Sequence, residues 1–138
     1  MFYHIDYIGI IVATIIYMIV GSLWYSPFLF GKKWAELAGM PQNMTLAEKA
    51  AAKKAMMYAF IPGLVLAFGL ERLLYNIPMV IPAYTFPLVI MTWLSFSAAV
   101  NSTDYIYNPT KRPWLLFAIN QGYYLVATLL MTFSLFYV

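Results

Sequence analysis

The chain has 138 residues, of which 64% are hydrophobic and 9% charged, with a formal net charge of +3 and no cysteine. One domain is all that length allows, and so small a charged fraction, against about 25% in soluble domains, excludes a water-soluble globule. The lack of cysteine excludes disulfides, thiolate chemistry and cysteine-ligated metals.

A bilayer core about 30 Å thick requires roughly 20 apolar residues as a helix. The first such span covers about residues 7–30 and carries no charge. No Lys or Arg precedes it and no small-x-small site follows, so it is expected to be retained rather than cleaved. Gly31 breaks the run, and Lys32, Lys33 and Trp34 read as an interfacial anchor. Gly39 and Pro41 mark a turn. Thr45 and Glu48 then fit a capping box that starts an Ala- and Lys-rich helix, running straight into a second span at about 55–74.

Asn76 and Pro78 mark a short connection, and Pro78, Pro82 and Pro87 crowd the start of the third span. Proline is tolerated in a first helical turn, which places this span at about 83–101. Asn108-Pro109 and Arg112-Pro113 bound the next loop, and the fourth span covers 114–138. The prediction is a single all-α domain over 1–138, four transmembrane helices in a bundle, with cytoplasmic loops at about 31–54 and 102–113.

Orientation follows from the basic residues. Lys32, Lys33, Lys49, Lys53 and Lys54 lie between spans one and two, and Lys111 and Arg112 between three and four. These loops share one side, and only Arg72 lies at the other. Seven against one predicts an inner (plasma) membrane protein with both termini on the non-cytoplasmic side. The expected partners are anionic headgroups near Lys32, Lys33, Lys53 and Lys54, and not nucleic acid.

The run Gly21-Ser22-Leu23-Trp24-Tyr25-Ser26-Pro27-Phe28-Leu29-Phe30-Gly31-Lys32-Lys33-Trp34 is unusual. It resembles the signature of the bacterial membrane family called domain of unknown function 1761, as do Asn120-Gln121-Gly122-Tyr123 and the four-span pattern. The resemblance covers essentially the whole chain. It implies a four-helix inner-membrane protein and no particular activity or site residues.

Helix rise of about 1.5 Å per residue converts position into depth. Trp24 and Tyr25 lie roughly 9 Å inside the first span by that rise. Asn120 and Gln121, Ser95 and Ser97 lie at similar depth, and Pro62-Gly63 slightly deeper. The candidate site is therefore a polar cavity in the cytoplasmic leaflet lined by Trp24, Tyr25, Ser26, Ser97, Asn120 and Gln121. Pro62 would free a backbone carbonyl there. The alternative reading of the same residues is interhelical glue plus an aromatic belt.

Ala55, Ala59, Gly63 and Ala67 recur every four residues in the second span, with Glu71 next. Ala59, Gly63 and Ala67 are the expected helix-packing face. Gly9 and Ala13 offer a shorter version in the first span. Glu71 is a candidate ion or proton site, with an interfacial carboxylate snorkelling beside Arg72 as its rival. His4 and Asp6 could suggest a metal or proton relay, but a lone histidine at an outer terminus is expected to be simply solvated. One histidine and no cysteine leave no strong transition-metal site, no cofactor motif is present, and no triad can be assembled.

An enzyme is therefore the least favoured class. The favoured function is an accessory or self-associating membrane subunit acting through helix packing, as a homo-oligomer or in a larger complex. The rival is an oligomeric transporter or channel, similar in size to the small multidrug exporters. Those couple transport to a carboxylate in the first span, and this first span has none.

Overall fold

A computed structural model describes residues 4–77 and 81–138, so Pro78 lies outside the described residues. The described residues are helical, with no strand among them. In chain order they form α1 (Tyr7–Trp24), α2 (Gly31–Leu37), α3 (Leu46–Tyr58), α4 (Phe60–Tyr75), α5 (Pro82–Thr92), a π-helical turn (Trp93–Ala98), α6 (Ala99–Tyr107) and α7 (Trp114–Tyr137). Four helices, Tyr7–Trp24, Leu46–Tyr75, Pro82–Tyr107 and Trp114–Tyr137, are long and apolar enough to cross a membrane.

The first helix begins where the Asp6 carboxylate accepts from the Gly9 N–H at 2.9 Å. It ends at Trp24, six residues short of the expected limit. Pro27 has no N–H to give the Leu23 carbonyl, so the ladder stops there. The Ser26 Oγ and N–H satisfy that carbonyl instead, at 2.6 and 3.2 Å. The chain then doubles back, with the Phe30 N–H donating to the Trp24 carbonyl and the Gly31 N–H to that of Ser26, both at 3.0 Å. Gly31 is required at this fold-back, because a Cβ there would collide with the Tyr25 carbonyl oxygen.

The left-handed conformation of Gly39, at φ 70°, closes α2. The capping box is present: the Glu48 N–H donates to Thr45 Oγ1 at 3.2 Å, and the Glu48 carboxylate accepts the Thr45 N–H at 2.7 Å. The helix then runs into the second span with one break at Ala59, where Pro62 cannot bond the Tyr58 carbonyl. At about 1.5 Å per residue these helices outrun a 30 Å core by roughly half its thickness. The surplus is α3, which has no buried residue. The third span tolerates Pro82 in its first turn and continues to Tyr107, six residues past the expected end.

Helices α1 and α7 form the central pair. Helix α4 packs mainly on α1, while α5, the π-helical turn and α6 pack on α7. Ile10, Ala13, Tyr17, Ala67, Leu70, Val89, Tyr123, Ala127 and Met131 make the core. Gly9 lies beside Leu135, so the start of α1 and the end of α7 share one end of the bundle. The lysine-rich loops occupy the other.

Candidate functional site

Asn120 projects from the first turns of α7 and gathers three elements. Its Oδ1 accepts from the Tyr25 hydroxyl and from the Trp34 indole N–H, each at 3.0 Å. Its Nδ2 donates to the Tyr105 hydroxyl at 3.3 Å. The Tyr25 ring stands edge-on to Trp34 and to Tyr123, with centroids 5.4 and 5.3 Å apart.

Two indoles grip the α7 backbone from opposite flanks. Trp24 Nε1–H donates to the Ile119 carbonyl at 2.9 Å, and Trp93 Nε1–H to the Gln121 carbonyl at 3.1 Å. Ser97 Oγ donates to Gln121 Oε1 at 2.8 Å. Trp93 and Ser97 both belong to the π-helical turn, so the irregular part of the third span supplies its hydrogen bonds to the Gln121 position of α7. The Tyr123 hydroxyl donates to the Tyr17 carbonyl at 3.3 Å. Gly21 and Gly122 allow this approach: a Cβ on Gly21 would sit 3.1 Å from the Tyr123 oxygen, and one on Gly122 3.2 Å from the Trp24 ring.

The unusual run at 21–34 and the segment 120–123 are therefore two halves of one structure. Trp24, Tyr25, Asn120, Gln121 and Ser97 come together, with Ser97 reaching Gln121 rather than Asn120. Ser26 does not join them; its hydroxyl is spent on the turn that ends α1. Ser95 is exposed on the outer face of the third span. Pro62 is also exposed and turned from the layer. Trp34, Trp93 and Tyr105 are members that depth counting did not include. Among the described residues, no fully buried side-chain nitrogen or oxygen lacks a hydrogen-bond partner.

The second-span face meets α1. A Cβ on Gly63 would lie 2.5 Å from the Tyr17 ring, and Ala67 and Ala13 are fully buried. Ala59 is half-buried at the helix break. These small residues are the face read from the sequence as a helix-packing one. Within this chain Gly63 and Ala67 lie where α1 and α4 approach each other.

Glu71 is buried at the opposite end, 7% exposed, and turned into the bundle rather than outward. Its carboxylate accepts the Asp6 N–H at 3.2 Å and pairs with Arg72. The Arg72 guanidinium also donates to the His4 carbonyl at 2.8 Å. Among the described residues, no three His, Cys, Asp or Glu side chains are grouped to hold a metal.

No curated protein and no solved structure matches the chain. Residues 8–136 match the family described as protein of unknown function (DUF1761). That match takes in both α1 with its fold-back and the whole Asn120 layer, and the chain belongs to this family.

Proposed function

We propose that this protein is an accessory membrane subunit that works by helix packing, and neither an enzyme nor a solute carrier. The observation that supports this reading is that the Asn120 layer bonds to its own neighbours: Oδ1 takes two donors, and Nδ2 gives one of its two N–H groups to the Tyr105 hydroxyl. A transport cavity needs polar groups turned toward water or solute. Here the polar groups turn toward one another, as interhelical glue does. The basic end of the bundle faces the cytoplasm of an inner membrane in this proposal, with both termini outside.

Because the Gly63 and Ala67 face is occupied internally, partners would meet the outer apolar faces of α4 or the third span. Extraction in a mild detergent followed by native electrophoresis tests the proposal. An assembly larger than one chain is expected, with unrelated subunits in it. A protein that runs as a monomer and conducts solutes in proteoliposomes would overturn it. Alkaline phosphatase fused at Val138 should be active; a silent phosphatase with an active cytoplasmic reporter reverses the orientation.

A further inference from the structure

We propose that the cytoplasmic half of the α1–α4 seam binds one anionic phospholipid, an acyl chain in an apolar groove and its phosphate at Lys49 and Lys53. The groove is open, holds about 310 Å³, and is lined by Ile15, Met18, Ile19, Ser22, Leu23 and Phe60. Its one hydroxyl, Ser22 Oγ, is turned back on the Met18 carbonyl at 2.8 Å, leaving an apolar lining. Such a surface at leaflet depth takes hydrocarbon.

The headgroup side of the argument comes from α3. Lys49, Lys53 and Met56 follow one another at i, i+4 and i+7, which keeps them on one face of α3, and Phe60 opens α4 just past the break at Ala59. Helix rise places Lys53 about 10 Å and Lys49 about 16 Å from Phe60 along the axis, beyond the groove on the headgroup side. Neither lysine has a carboxylate partner among the described residues, whereas Lys33 pairs with Glu36 and Arg112 with Asp104. The neighbouring Glu48 is committed to its capping box. Two unpaired cations standing over an apolar groove complement a phosphodiester with a hydrocarbon tail. The location also accounts for α3, a helix with no buried residue that extends beyond the core where headgroups lie.

Native mass spectrometry of the full chain, released from nanodiscs of mixed phosphatidylglycerol and phosphatidylcholine, tests this. One phosphatidylglycerol per chain should be retained in preference to phosphatidylcholine. The paired change Lys49→Gln with Lys53→Gln should cut that retention about tenfold, or about 1.4 kcal/mol. Lys111→Gln with Arg112→Gln, on the other basic loop, should leave it unchanged. Ser22→Trp should fill the groove and displace the lipid, with circular dichroism reporting that the helices persist. Equal retention of the two lipids overturns the proposal, as does equal loss from both paired variants, which would mean a diffuse basic field. The lysine variants lie on an exposed helix, so their result stands even where Ser22→Trp fails to fold.

Discussion

Helix α1 is held on two sides by opposite means. Toward α4 the contact is dry and built from small residues: Ala13 and Ala67 are fully buried, and Gly63 admits the Tyr17 ring. Toward α7 its C-terminal end is polar and aromatic, with an indole on a backbone carbonyl, a phenol on an amide and edge-on rings beside them. Both solve one problem, since lipid is as apolar as leucine and offers helices no hydrophobic reason to associate. The small-residue side gains dispersion contact over a length of helix. The polar side gains hydrogen bonds, which fix register and rotation as dispersion alone does not.

The largest expected effect is on the dry side. Gly63→Leu would drive a branched side chain into the Tyr17 ring, and overpacking of that kind costs about 1–3 kcal/mol, occasionally more. The melting temperature in detergent should fall markedly. If the variant melts like the parent, Gly63 faces lipid and the small-residue account of this interface fails.

On the polar side, Asn120→Leu removes three hydrogen bonds at once and strands the donors of Tyr25 and Trp34. At about 0.6 kcal/mol per bond in membranes, the loss is close to 2 kcal/mol. Steady-state emission should also change, because Trp34 loses its acceptor. Unchanged melting would show that the amide contributes position without energy.

Trp24→Phe deletes the indole bond to the Ile119 carbonyl, at about 0.6 kcal/mol, together with the six-membered-ring carbons that face Gly122. The same change at Trp93 should cost a similar amount. If the two indoles act separately on α7, the paired variant should lose the sum to within about 0.5 kcal/mol. A larger coupling would mean that they hold one shared distortion of the helix.

How much of this was legible beforehand follows the same division. Depth counted from the expected span ends puts Trp24, Tyr25, Ser97 and Asn120 in one layer, and they lie near one another, although α1 ends at Trp24 and the third span runs six residues further than that count assumed. The direction in which each side chain points around its helix was less legible. Gly63 and Ala67 announced a packed face by their spacing, but nothing in that spacing says whether the neighbour is α1 or another chain. Trp34 reads as an interfacial anchor, and only the fold-back fixed by Gly31 returns it to Asn120. Trp93 and Ser97 address α7 together through a π-helical turn that no local signal in 93–98 announces. Glu71 was ambiguous because Arg72 follows it. Its burial is decided by the N-terminus of α1, 65 residues away, where the Asp6 N–H needs an acceptor.

The smallest expected effect is also the most diagnostic of how the two motifs fit. A Cβ on Gly122 would stand 3.2 Å from one carbon of the Trp24 ring and 3.6 Å from the next, tighter than ordinary contact but by only a few tenths of an ångström. Trp24 cannot yield freely, because its indole N–H is anchored on Ile119 and its ring lies 4.7 Å from that of Phe30. Gly122→Ala should therefore destabilise the parent by only a few tenths of a kcal/mol, even though alanine is the better helix former. In the Trp24→Phe background the opposing six-membered ring of the indole is gone. The same change should then become neutral or stabilising, by up to the roughly 1 kcal/mol helix-propensity gain of alanine over glycine. A double-mutant cycle measured by thermal melting reads this sign change directly. Equal cost in both backgrounds would place the clash elsewhere, and the close fit of Gly122 to Trp24 would no longer explain why a glycine stands between Gln121 and Tyr123.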